Sequence, residues 1–500
     1  MRARDDANRM PRAVNPSSFA AACTRLAERD AFPALVLAAM LVFLLRLTPH
    51  QLVADSWLAL VAGREIVDNG LPAGDTLAVW THGTTWIDQQ WLAHVALYAL
   101  AAAAGIKAAL AANVAAVIGA FVGAAVASRR LGASGRSVAF VALPCMFASF
   151  WAYQLRAQSL AYPLFVAVLW LLASDARNAS RRVLLVLPLL VVWTNVHGSV
   201  VLGALLVVLY GAVTAVRALT RRATTSSAAV ARALTVAAAA PLCLFASPYG
   251  LSLADYYRSI LLNSSLSRVV VEWQASTPSA LTAVFFALAF ATVWLVGRHG
   301  ASLTPFERVA LGVTLLGGLL AIRSIVWFAL AALMFVPVLL DHASPVRELP
   351  KRRLSILLVA AAAIGAVGAT ADAARLPAAW YAQNEPGAAG DAVAVAASRD
   401  PHARIFATEP YADFLLWQHP ELGGRIAFDV RFELFSDDQF RRVLALYELR
   451  RSWRETLRGF RLVVLERSRT SLVRALLDEG GARVIYGDGE TVVIRRGADR

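Results

Sequence analysis

Long apolar runs, broken by short polar loops, recur from Ala31 to about Thr370 and then stop. A helix needs ~20 consecutive apolar residues to span a bilayer. Runs near 31–49, 91–127, 137–152, 158–174, 183–196, 199–218, 231–246, 279–297, 306–322, 324–340 and 354–372 approach or exceed that length. The pattern predicts a polytopic α-helical membrane protein with about 11–13 transmembrane helices. The 91–127 run is too long for one ordinary helix and carries Gly105 and Lys107 in its middle. One crossing plus a partial or interfacial helix is expected there, because two full crossings would invert every later loop. Beyond residue 386 the period changes. Short apolar runs (ARIFAT, GRIAFDV, FRLVVLE, ARVIYGD, ETVVIRR) alternate with helical stretches around 410–418, 437–459 and 469–479. This predicts a small α/β domain over 386–500, closed by a hairpin at Gly487-Asp488-Gly489.

Composition supports the membrane reading: 58% of the 500 residues are hydrophobic, against ~45–50% in soluble domains. Lys and Arg number 48 and Asp and Glu 34, a formal net charge of +14. The basic residues load the 1–30 tail and the loops at 128–136 (Arg129, Arg130, Arg136), 175–182 (Arg177, Arg181, Arg182), 217–232 (Arg217, Arg221, Arg222, Arg232), 298–308 and 342–353 (Arg347, Lys351, Arg352, Arg353). By the positive-inside rule these segments face the cytoplasm. Loops 50–90, 153–157, 195–198, 247–277, the turn at Arg323 and everything after about 373 then face outward. Basic residues dispersed in this way form no nucleic-acid-binding face. Cys23, Cys145 and Cys243 provide neither a disulfide framework nor a metal cluster. The polar N-terminal tail has no signal-peptide pattern, so the first run is expected to remain as an uncleaved helix. The expected organisation is a cytoplasmic tail (1–30), a transmembrane domain (31–372) with its first external loop at 50–90, and an extracytoplasmic α/β domain (386–500).

Candidate chemistry concentrates in that first loop. The stretch DSWLALVAGREIVDNGLPAGDTL carries Asp55, Glu65, Asp68 and Asp75, and Asp88 and Gln90 follow. A helix over 55–69 is expected, capped by Asp55 and stopped at Gly70, with Trp57, Leu58, Leu60, Val61 and Ile66 lying on the bilayer. Other outward loops contribute Arg156, then Trp193, Asn195 and His197, then Tyr249, Glu272 and Trp273, and finally Arg323. Arginine on the outer face opposes the usual bias, so Arg156 and Arg323 are expected to meet an anion there. The planar guanidinium fork suits phosphate. Asp55, Asp75 and Asp88 are therefore the candidate catalytic carboxylates, and Arg156, His197 and Arg323 the candidate phosphate ligands. Trp57, Glu65, Gln90, Trp193, Asn195, Tyr249, Glu272 and Trp273 are the candidate substrate-binding residues. Each also has a structural reading as a cap, a turn residue, an ion-pair member or an interface anchor. The acids could hold a divalent ion such as Mg2+ or Mn2+, but no spacing requires one, and no metal ligand is assigned.

These motifs, together with WIDQQWL, RAQSLAY, WTNVHGS, SPYG, VEW, RSIVWF and FDVRFELF, resemble those of integral-membrane glycosyltransferases of the GT-C fold. The bacterial branch similar to the protein O-mannosyltransferase and aminoarabinose transferase families is the nearest in pattern. The chain departs from that pattern at Leu58-Ala59-Leu60, where relatives often carry His, at Gln90, where they often carry Glu, and at Ser247 of SPYG, where they carry Asn. The resemblance implies an essential acid at Asp55, a sugar donor carried on a polyprenyl phosphate lipid, and transfer to a hydroxyl of a glycan, lipid or protein. It implies catalysis at the outer face of a bacterial inner membrane. Physical chemistry is compatible: a donor must arrive tethered to lipid where no nucleotide sugar is found, and a carboxylate can take the acceptor's proton. A transporter or flippase of a lipid-linked or anionic substrate, and a non-catalytic envelope assembly factor, are the alternatives. Few mid-helix charges and no internal repeat weigh against the first of these. Asp429, Arg431 and Glu433 would form the working surface of the second.

Overall fold

The computed structural model describes residues 16–220, 226–261, 270–344 and 352–497, and the side chains of all of these except 16–28 and 261. Arg221, Arg222, Arg347, Lys351, the first part of the N-terminal tail and the centre of the 247–277 loop lie outside the described residues. Each of the expected apolar runs forms a helix, and the protein is a multi-pass helical membrane protein with a small C-terminal sheet. Among the described residues seven helices are long and apolar enough to cross a membrane, and Trp91–Ala104, Gly135–Ala148 and Ser227–Cys243 are shorter apolar helices. The 91–127 run divides at Gly105, whose φ of 77° breaks the chain into Trp91–Ala104 and Ile106–Arg130.

Helix Ile325–Ala343 is apolar on every face and therefore occupies the bundle's centre, buried from Ile325 to Leu339. Its 19 residues set ~28 Å between two chemically distinct ends. At the far end Asp341 accepts from the Ser134 and Ser137 hydroxyls at 2.7 and 2.6 Å. Arg129 pairs there with Asp30 at 2.5 Å, and Arg177 with the fully buried Glu307 at 2.6 Å. The Arg-rich loops thus gather at one end, held by a few acids. At the near end lie Arg323 and the loops that carry the candidate site.

The C-terminal unit is a four-stranded sheet in the order β1 (Arg404–Ala407), β2 (Phe460–Glu466), β4 (Thr491–Arg495), β3 (Arg483–Gly487). β1 and β2 are parallel; β2/β4 and β3/β4 are antiparallel. The GRIAFDV run forms no full strand. Ile426 instead bridges Ile405 on one side and Ala78 on the other. Val79 and Trp80 N–H groups donate to Ile426 and Ala427 carbonyls at 2.8 and 3.0 Å, so the first loop is stitched onto the sheet edge. Trp80 stacks on Phe428 with centroids 5.2 Å apart.

Two expectations about the first-loop helix are corrected. It spans Ala54–Asn69, and Val53 rather than Asp55 is the N-cap. Its apolar face lies under the C-terminal unit rather than on lipid. Val61 and Ala62 share a core with Tyr411, Leu415 and Leu416, while Trp57 and Leu60 pack with Leu97 and Phe414. Arg64 completes the contact by donating to the Leu416 and Trp417 carbonyls at the end of helix Glu409–Gln418, where the unpaired carbonyls favour a cation.

Candidate active site

A cavity of ≈ 890 Å³ lies between the near end of the bundle and the C-terminal unit. Ser56 fixes one edge of it. Its hydroxyl accepts the Val53 N–H at 3.0 Å and donates to the Leu155 carbonyl at 2.7 Å, tying the start of helix Ala54–Asn69 to the 153–157 turn. That tie sets Asp55 against Arg156: the Asp55 carboxylate, 39% exposed, is 3.1 Å from Arg156 Nε. Both Arg156 terminal nitrogens donate to Glu272, one of them at 2.7 Å, in a bidentate pair. Burial pushes the Glu272 carboxyl up, but the Arg156 hydrogen bond and charge, with Arg323 behind, outweigh it and hold the group below the usual range.

Arg323 is differently placed. Its guanidinium stacks over Trp273 at 4.5 Å, and Nη2 donates to Gln158 Oε1 at 3.2 Å. Among the described residues no carboxylate lies within ion-pair distance of it. A cation so placed, without a carboxylate partner, favours a negatively charged ligand. His197 stands in the same lining. Its Nδ1 accepts the Ser199 backbone N–H at 3.0 Å. Burial, with the charges of Arg323, His94 and Arg156, drives its pKa well below the ordinary imidazole value. The ring is therefore neutral with its proton on Nε2, a donor.

Below the charged rim the cavity becomes an apolar slot. Val201, Leu202 and Leu205 on helix Val200–Leu219 face Leu316 and Leu320 on helix Pro305–Leu320. Leu205, Leu316 and Leu320 are 44%, 56% and 63% exposed, so the wall of the slot reaches the outer surface of the bundle. Above the rim the C-terminal unit contributes Glu409, Phe428, Phe432, Glu433, Tyr447 and Arg469. Burial pushes both the Glu409 and Glu433 carboxyls up to about 7.

This has a measurable consequence. A carboxyl whose folded pKa is raised stabilises the fold below its unfolded value near ~4.3 and loses that contribution as pH climbs through the folded value. Between about pH 4.5 and 7, the wild type should therefore lose more thermal stability than a Glu433→Gln variant. Parallel melting curves of the two proteins with the same slope over that window would remove Glu433 from the account.

Not every expected residue reaches the cavity. Asp55, Gln90, Arg156, His197, Glu272, Trp273 and Arg323 line it. Asp75 is corrected to a buried anchor: its oxygens accept from Thr81 Oγ1 and Arg431 Nη2, both at 2.6 Å. Asp88 lies behind the wall, 2.8 Å from His94 Nδ1. Trp57 is buried against Phe414 and donates to Glu385 at 3.0 Å. Trp193 sits in the bundle core and donates to Ser199, and Asn195 accepts from Trp91 Nε1 at 2.7 Å. Glu65 pairs with Thr76 at the surface, and the Tyr249 hydroxyl reaches the Pro72 carbonyl. These are packing and anchoring roles. Sequence reading missed His94, Gln158, Tyr256 and the C-terminal wall. Gln158, two residues from Arg156 in RAQSLAY, was the most findable; the wall residues carry no local signal. Among the described residues no three His, Cys, Asp or Glu side chains group to hold a metal ion.

No family model and no curated protein matches this chain. Solved structures of two kinds are similar to it. One is ArnT from Cupriavidus metallidurans bound to undecaprenyl phosphate, at 15% identity and TM-score 0.49, covering 93% of this chain and 99% of that one. The other is the archaeal oligosaccharyltransferase AglB from Archaeoglobus fulgidus with an inhibitory peptide and a dolichol phosphate, at 11% identity and TM-score 0.49, covering 87% of this chain and 69% of that one. At these identities the likeness concerns the fold alone. Likeness at this level assigns neither substrate nor activity.

Proposed function

We propose that this protein is a membrane glycosyltransferase that moves a sugar from a polyprenyl-phosphate-linked donor to an acceptor hydroxyl at the outer face of a bacterial inner membrane. One observation carries the reading: Asp55, Arg156, His197 and Arg323, from four separate segments, line a single cavity whose apolar wall reaches the surface of the bundle. The slot suits a prenyl chain, and the rim suits its phosphate. In this reading Arg323 and the His197 Nε2–H are the phosphate donors, because Arg156 is already committed to Asp55 and Glu272. The acceptor oxygen loses its proton to Asp55 and attacks the anomeric carbon. The bond from that carbon to the phosphate oxygen breaks, and the electron pair leaves on the lipid phosphate, where Arg323 and His197 meet the charge. Trp273 holds Arg323 flat from behind.

The test is direct binding of undecaprenyl phosphate to the purified protein in nanodiscs. Arg323→Gln should weaken it ~10–100-fold, the scale of a lost charge-assisted hydrogen bond of ~1.5–3 kcal/mol. Wild-type protein that does not bind the lipid, or an Arg323→Gln protein that binds it equally well, would sink this reading.

A further inference from the structure

His94 faces the same cavity and has no part in the scheme above. Its Nδ1 is 2.8 Å from Asp88 Oδ2, and the two side chains are 6% and 3% exposed. A carboxylate can only accept, so the proton of a neutral His94 is on Nδ1 and its Nε2 keeps a lone pair. Asp88 is itself fixed, because its other oxygen accepts the Gln90 N–H at 3.1 Å at the start of helix Trp91–Ala104. His197 has the opposite tautomer, since the Ser199 N–H occupies its Nδ1. The two rings are close enough that a charge on His94 would disfavour one on His197. One cavity therefore presents a nitrogen acceptor from His94 and a nitrogen donor from His197.

That pair discriminates between oxygens. A phosphate oxygen only accepts and gains nothing from a lone pair at His94. A hydroxyl can donate to that lone pair and still accept from elsewhere. The phosphate is assigned to Arg323 and His197, so the next oxygens along a donor lipid are the hydroxyls of its sugar. We propose that His94, locked in its Nδ1–H form by Asp88, is a specificity-determining ligand for a hydroxyl of the transferred sugar. The proposal rests on the transferase reading and names the part of the donor that the dyad engages. A site built to pair a hydroxyl rejects ligands that lack it, because its own buried polar group is then left unmade.

The experiment compares undecaprenyl phosphate with a panel of undecaprenyl-phosphate-linked hexose, aminohexose and aminopentose, bound to the full-length protein in nanodiscs. The quantity read is the ratio of sugar-linked to bare-lipid affinity. Wild type should favour at least one sugar-linked lipid, and His94→Phe should reduce that ratio ~10-fold. His94→Gln, whose amide oxygen still accepts, should restore part of it. Asp88→Asn is the sharper variant. The Asn amide donates to Nδ1 and drives the His94 proton to Nε2, so the shape persists while the acceptor is lost, and the ratio should fall as in His94→Phe. A wild-type ratio of one for every sugar, an unchanged ratio in His94→Phe, or an unchanged ratio in Asp88→Asn overturns the proposal. A wild type that fails to bind bare undecaprenyl phosphate overturns the underlying reading instead, so the two failures are distinct.

Discussion

Asp55→Asn abolishes sugar transfer while leaving the protein folded and still able to bind lipid phosphate. This is the expected result because the substitution keeps the shape of the side chain while removing its capacity to take a proton, and Arg156, losing the Asp55 charge, keeps its bidentate pair with Glu272. Asp55 caps no helix: Val53 does that, and Ser56 makes the associated hydrogen bonds. Its carboxylate is part-exposed on the cavity with Arg156 at 3.1 Å. General base catalysis is worth ~10²–10⁴-fold, so the loss should be of that order. Transfer is measured in proteoliposomes, and folding is checked by melting temperature. An Asn variant that transfers at the wild-type rate would remove Asp55 from the chemistry. A melting temperature depressed by many degrees would instead assign Asp55 to structure, as the counter-ion of Arg156.

The second large effect is structural. Arg431 is buried with its charge divided between Asp75 and Asp429, at 2.6 and 2.5 Å, and its guanidinium lies 4.2 Å over Trp86. Asp75 belongs to the first loop, while Asp429 and Arg431 belong to the C-terminal unit. Asp413 stands beside them, and burial, with the nearby Asp429, pushes its carboxyl well above the usual range. The cluster therefore fastens the wall that carries Phe428, Phe432 and Glu433 onto the loop that follows Asp55. Removing one partner of a buried pair leaves uncompensated charge, at a cost of ~3–5 kcal/mol. Arg431→Met should destabilise the C-terminal unit by that amount and reduce transfer, although the residue touches nothing in the cavity. Melting curves and limited proteolysis would measure it. A variant that melts with the wild type and resists protease equally would show that the docking rests on the apolar core around Leu415 and Leu416 instead.

Arg431 also shows where sequence reading stops. Asp75 reads as a catalytic acid because it sits in an acid-rich loop, and Arg431 reads as a strand-end ion pair. Nothing local says that they meet 356 positions apart. Trp57 and Trp193 are substrate-binding candidates by sequence because aromatic residues suit that use. Burial decides otherwise: each ring is enclosed by packing and its N–H is already bonded to Glu385 or Ser199. Arg156 and Arg323 were legible as a pair because they violate a charge bias. Their division of labour is not, because only geometry shows Arg156 bound to two acids and Arg323 stacked on Trp273 with, among the described residues, no acid in ion-pair range.

Local pattern alone makes the chain a bundle of membrane helices with its Arg loops at one end and a small α/β unit after residue 386. Those features follow from local period, segment length and charge, which each stretch carries independently of the rest. Long-range packing is what places helix Ala54–Asn69 beneath the C-terminal unit, closes the cavity with that unit and sets Asp88 against His94. Such facts depend on which distant segments touch, and a contact energy between remote side chains leaves no periodic mark in the order of residues.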